Sequence, residues 1–95
     1  VRDSIQITEV AYTPASAALR ATGLLGYVEG TANCELRLCG LTLRWKAKGG
    51  HSIAFPFRLD AHGVRRPYMR PIDARARAEI ERQILGALRR QGVIR

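Results

Sequence analysis

The sequence predicts an α+β fold: a twisted antiparallel β-sheet of four to five strands with one C-terminal α-helix packed on it. Three observations carry this. Between Ser4 and Arg70 apolar residues alternate in short runs, each bounded by Gly, Pro or Asn, which is the strand pattern. Beyond Pro71 the period changes, and Ala76, Ile80, Ile84, Ala87 and Leu88 recur at the spacing of one helix face. Strands come first and the helix last, so the layers are those of an α+β domain and not of alternating βαβ units. With 95 residues the chain makes one domain, 1–95.

The first segment, Ser4–Tyr12, places Ile5 and Ile7 in one phase and Val10 and Tyr12 in the other. A bulge or bend near Glu9 reconciles the two. Thr13-Pro14 ends this strand, and Ala15–Leu19 is a connector with room for one helical turn. Leu24–Glu29 is strand-like, and Gly30-Thr31-Ala32-Asn33 has hairpin-turn composition. In the next strand Cys34, Leu36 and Leu38 share a face, while Leu41, Leu43 and Trp45 continue in the opposite phase. Gly40 stands at the switch, where a bulge is expected. Lys46-Ala47-Lys48-Gly49-Gly50 turns the chain, and Ile53, Phe55, Phe57 and Leu59 then alternate as a partner strand, interrupted by Pro56. Proline donates no ladder hydrogen bond, so that strand is expected at an edge or bulged. Asp60-Ala61-His62-Gly63 is a turn, and Val64–Arg70 a short, Pro-interrupted strand. Asp73 is placed to N-cap the helix, and Gly92 suits the left-handed stop beyond its end.

The net charge of +8 is unevenly distributed. Residues 1–35 carry two basic against four acidic side chains, and residues 36–95 carry fourteen against four. Positive potential is thus concentrated in the C-terminal part, which favours polyanionic partners. Fourteen of the sixteen basic residues are Arg, whose planar fork binds phosphate bidentately and stacks on bases. An Arg-rich genome composition gives the same bias without a ligand. No run reaches the ~20 apolar residues of a membrane span, and the N-terminal residues do not read as a secretory signal. Cys34 and Cys39 lack the spacing of a zinc site. If both lie on one strand they are too far apart for a disulfide, so they read as small apolar residues in a reducing compartment. The expected location is cytoplasmic.

No catalytic constellation emerges. His51 and His62 fall in or beside turns without a dyad partner, and no Ser sits in a Gly-x-Ser-x-Gly elbow. Gly49-Gly50-His51-Ser52 lacks the Lys-Ser/Thr that would make it a phosphate loop. The expectation is a protein with no catalytic residues, no metal and no cofactor.

Basic clusters are more informative. Arg75, Arg82 and Arg89 recur every seven residues and line up along one helix edge, opposite Ile80 and Ile84. They either contact successive phosphates or form a solvated face with Glu79–Arg82 as a surface pair. Arg58, Arg65, Arg66 and Arg70 lie near Tyr68 and Phe57, an interleaving that can hold phosphates while rings stack on bases. Phe57 shares the phase of Ile53 and Phe55 and so reads as core, whereas Tyr68 is open to either assignment. Arg44, Lys46 and Lys48 form a third cluster that also serves to discourage edge aggregation.

From Leu36 to Leu88 the pattern resembles the stage V sporulation protein G (SpoVG, septation-regulator) family. Its early strand is matched by Ile5-Gln6-Ile7-Thr8-Glu9-Val10. The Gly-containing turn followed by a Met-Pro-Ser-Lys/Arg core is matched by Lys48-Gly49-Gly50 and Phe55-Pro56-Phe57-Arg58. Gly63 and Arg70-Pro71-Ile72 match the second turn and a His-Pro-Ile segment, and Arg77-Ala78-Glu79-Ile80 with Ile84-Leu85 the helix. Phe55, Phe57 and Arg70 depart from the family residues. The resemblance implies a cytoplasmic bacterial regulator that binds DNA or RNA, has no enzymatic activity and dimerises through strand pairing. The alternative from another class is a protein-interaction adaptor that uses an exposed sheet edge and the basic surface.

Overall fold

The computed structural model describes residues 4–95 and bears out the α+β expectation. Four antiparallel strands follow one another in space as in sequence: β1 (Ile7–Pro14), β2 (Leu24–Ala32), β3 (Leu36–Trp45) and β4 (His51–Ala54). A short helix α1 (Ala17–Ala21), N-capped by Ser16, joins β1 to β2. A separate two-stranded ribbon, β5 (Phe57–Leu59) and β6 (Arg65–Pro67), precedes the long helix α2 (Ala74–Arg90).

Helix α2 forms where its caps and period dictate. The Asp73 carboxylate accepts from the Ala76 N–H at 2.8 Å, and Gly92 takes a φ of +80° beyond the last turn. Ile80, Ile84 and Leu88 are buried, one per turn, and meet Val28, Leu38, Leu41, Leu43 and Ile53 from the sheet. The row Thr13, Tyr27, Thr42 and Ala54, paired across the strands, lies on the face away from α2.

Two bulges explain the phase changes in the sequence. Glu9 and Val10 together oppose Gly30, with Glu9 at a φ of +51°. Cys39 and Gly40 together oppose Glu29, so Leu41 and Leu43 return to the buried face after Leu38. Gly40 has a φ of +79°, and a Cβ there would stand 3.3 Å from Pro56 Cβ, so a side chain would be strained by the backbone and crowded by Pro56. Arg37 secures the outer side of the first bulge. Its Nη1 donates to the Glu9 carbonyl at 2.8 Å and to Thr31 Oγ1 at 2.9 Å, and its Nε to Glu29 at 3.3 Å.

Polar side chains of α2 and its C-cap Gln91 occupy backbone groups on or beside both edge strands. Gln83 accepts from the Ile7 N–H at 2.6 Å and donates to the Ile5 carbonyl at 2.7 Å. Gln91 donates to the Val10 carbonyl at 2.7 Å. On the opposite edge Glu81 accepts from the Ile53 N–H and Arg77 donates to the Ile53 carbonyl, each at 2.8 Å. The helix therefore covers the sheet and also plugs its edges, one of the ways open strands are kept from pairing.

Several local expectations are corrected. The turn between β2 and β3 is Asn33–Glu35, not Gly30–Asn33, because β1 pairs with β2 as far as Ala32. Cys34 consequently sits in that turn and not on a strand, at a φ of +60°. The single partner strand expected over Ile53–Leu59 is two: β4 stops at Ala54, and past Pro56 the chain enters the ribbon. Phe57 and Leu59 therefore leave the core and are exposed, since alternation within a run does not survive a change of sheet. The last strand is only Arg65–Pro67 within the expected Val64–Arg70.

The edge plugs make a measurable claim. Replacing Gln83 with Ala leaves part-buried backbone groups at Ile5 and Ile7 without these partners, and we expect a loss of about 1–3 kcal/mol in urea unfolding. Ile84→Ala, which removes a fully buried side chain, should cost about 2–5 kcal/mol. A Gln83→Ala midpoint equal to that of the unmodified protein would show that water replaces the amide without penalty.

Candidate nucleic-acid interface

The ribbon β5–β6 is built by its turn. Asp60 Oδ1 accepts from the backbone N–H groups of His62 at 2.8 Å and Val64 at 3.0 Å, and Oδ2 accepts from Arg66 Nε at 3.0 Å. The Val64 and His62 amides, with Arg66 adding a smaller share, hold the Asp60 carboxyl below its ordinary range. All six residues of the two strands are exposed. A lone two-stranded hairpin is marginal in water, so this turn and its anchorage at Pro56 and Tyr68 matter. The Tyr68 N–H donates to the Pro56 carbonyl at 3.2 Å.

Register sorts the ribbon's side chains onto two faces. Arg58 stands directly opposite Arg66, and Tyr68 opposite Pro56 continues the same face. Phe57, Leu59, Arg65 and Pro67 make the other face, where the Arg65 guanidinium lies 4.5 Å from the centre of the Phe57 ring. Like charges directly across an antiparallel pair are unfavourable, and Arg58 has no carboxylate partner among the described residues. Arg66 uses only its Nε on Asp60, which leaves its other donors facing solvent.

The seven arginines expected in the interface fall into two groups joined by a bridge. Arg58, Arg65 and Arg66 are on the ribbon. Arg70, at its root, shares an apolar groove of about 270 Å³ with Arg75, over Ile5, Ile72 and Ile80. Arg82 and Arg89 lie farther along the exposed side of α2, and their donors are partly committed. Arg82 makes a two-pronged contact with Glu79, at 2.6 and 3.0 Å, and Arg89 Nε donates to the Arg95 carbonyl at 3.2 Å. The helix stripe is thus part charge surface and part surface ion pair.

Sequence reasoning missed Arg77, Glu81, Gln83 and Gln91 as edge plugs, because nothing in their spacing distinguishes them from a solvated helix face. It also missed the stacking of Arg65 on Phe57, for which the break at Pro56 was the available signal. Cys34 and Cys39 are both free and exposed. His51 meets the Trp45 ring edge-on, with centres 4.9 Å apart. Among the described residues no three metal-ligating side chains converge, and no helix is long and apolar enough to cross a membrane.

Comparison with models of known protein families gives no match, and no curated protein matches the chain.

Glu79 provides a pH test of the helix surface. Its hydrogen bonds from Arg82 and then Gln83, with the nearby charges of Arg82 and Arg75, hold its carboxyl down to about 2 from an ordinary 4.5. A depressed carboxyl stabilises the fold above the unfolded value, and that contribution fades as pH falls from about 4.5 through about 2. We expect a carboxyl NMR titration of Glu79 to fall near the lower value and to move up in Arg82→Ala. An unshifted Glu79 in both proteins would show that the pair does not persist in solution.

Proposed function

We propose that this protein is a non-enzymatic, cytoplasmic nucleic-acid-binding regulator of the stage V sporulation protein G type, acting as a homodimer. The observation that carries the reading is the opposed Arg58 and Arg66 on a ribbon whose every residue is exposed. Arg66 is only partly engaged by Asp60 and Arg58 has no carboxylate partner among the described residues, so their face-to-face repulsion on a marginal element is relieved by a polyanion. Arg65, Arg70 and Arg75 extend the positive surface from the ribbon to the start of α2, and Arg82 and Arg89 prolong it along the helix. A two-stranded ribbon is also one of the elements that the major groove of duplex DNA admits.

Homodimer formation by strand pairing belongs to the same proposal. Side chains of α2 and its C-cap Gln91 already occupy backbone groups at Ile7, Val10 and Ile53, so the edges of β5 and β6 are the better place for it. Those edges equally favour a second reading, an adaptor to which a partner protein adds a strand. Nuclease treatment separates the two, since only the adaptor's complexes survive it.

The test is fluorescence anisotropy with labelled duplex DNA, single-stranded DNA and RNA at two salt concentrations. Binding should weaken steeply with salt, and Arg58→Ala should flatten the log–log slope by about 0.9 on duplex or about 0.7 on single strands. Arg82→Ala should flatten it less, because Glu79 already holds that guanidinium. No binding to any of the three at low salt, where attraction to a protein of charge +8 is strongest, overturns the proposal.

A further inference from the structure

Aromatic side chains are distributed unusually in this molecule. The buried core of the described residues is made of Ile, Leu, Val and Ala alone. Of the six aromatic residues, Tyr27, Trp45, Phe57 and Tyr68 are exposed. Rings are the most effective core fillers a small domain has, so leaving four of them on the surface sacrifices burial. Tyr68 is the extreme case at 69% exposure, and it shares its ribbon face with Arg58 and Arg66.

Beside Tyr68 the ribbon root and the middle of β3 border an open, shallow cleft of about 400 Å³, lined by Leu36, Cys39, Gly40, Pro56, Tyr68 and Met69. The lining is mostly apolar, with the bare Gly40 backbone against Pro56. Arg37 also borders the cleft, with its Nε and Nη1 committed to Glu29, Glu9 and Thr31 and its Nη2 left to meet an occupant. The cleft itself thus offers one partly committed cation, while four arginines against one aspartate between residues 57 and 70 flank it with net positive charge. An occupant must bring a flat apolar face into the cleft and negative charge along the ribbon beside it.

We infer that this cleft receives an unpaired nucleobase, stacked on Tyr68, and that the preferred ligand is single-stranded nucleic acid. This rests on the nucleic-acid reading above and narrows it. In a duplex the base faces are covered by their neighbours, and only an unstacked base can offer one to a tyrosine ring. The next residues on the same face, Arg66 across from Arg58, lie two positions along the strand, roughly 7 Å away. That places a phosphate-binding pair one step from the stacking platform, as an extended single strand requires. Ring stacking tolerates any base, so weak sequence preference is expected.

The test compares a labelled 12-nucleotide thymidine strand, an abasic strand of the same charge and a 12-base-pair duplex. Tyr68 is solvent-exposed, so Tyr68→Ala should keep the circular dichroism spectrum and thermal midpoint of the parent. It should weaken binding to the thymidine strand roughly tenfold, leave the abasic strand and the duplex unchanged, and leave the salt slope unchanged. Tyr68→Phe should bind the thymidine strand as the parent does. If Tyr68→Ala binds the thymidine strand undiminished and with the same steep salt dependence, the stacking inference fails and the nucleic-acid reading stands. A parent protein that prefers the duplex overturns it likewise. If neither strand nor duplex binds at low salt, both readings fall together.

Discussion

Everything else in this fold depends on the docking of α2 across the four-stranded sheet. Ile80, Ile84 and Leu88 supply its only long apolar stripe, and they close a core whose other half is Val28, Leu38, Leu41, Leu43 and Ile53. The same docking brings Gln83 and Gln91 to β1 and Arg77 and Glu81 to β4. Side-chain amides and an Arg–Glu pair then stand where a neighbouring strand's backbone would be. A sheet this short gains twice from one helix, in burial and in satisfied edge groups.

The bulges follow from that arrangement. A strand that alternated strictly through Leu36–Trp45 would present Leu41 and Leu43 to solvent once Leu38 faced the helix. The extra residue at Cys39–Gly40 restores the buried phase, and its positive φ requires the glycine. Glu9 achieves the same in β1 without glycine, held by Arg37 reaching over from β3. The bulge at Gly40 also lets Pro56 approach the sheet, and Pro56 is where the chain leaves it. The departure point of the ribbon is thus tied to a correction in the register of the core.

The charged surface divides along the same lines. Arginines of α2 that face the sheet, such as Arg77, are structural, and Arg82 is shared with Glu79. On the ribbon the one nearby acid, Asp60, is spent mainly on building the turn, which leaves Arg58 unneutralised and Arg66 half-used. Two basic elements therefore differ in the charge they offer a ligand, and the one with fewer arginines has a larger share of it unpaired. That difference arises from which carboxylates the local geometry can reach.

Local signals in the sequence were sufficient for the helix, its caps at Asp73 and Gly92, both bulges and the α+β order, because each rests on neighbours within a few residues. They were sufficient too for the concentration of positive charge after residue 35. Where β4 ends and β5 begins was not legible. Ile53, Phe55, Phe57 and Leu59 alternate without a break, and only the plugging of Ile53 by α2 and the exit at Pro56 split them. The β2–β3 turn was displaced for a similar reason, since pairing to β1 carries β2 past the glycine that composition favours. By itself the sequence determined the strands-then-helix order, the buried helix face and the excess of cations, all of which follow from periodicity and composition. Tertiary structure alone decided which arginines remain available and that Tyr68 and Phe57 are exposed, because ion pairing and burial depend on residues brought together from distant parts of the chain.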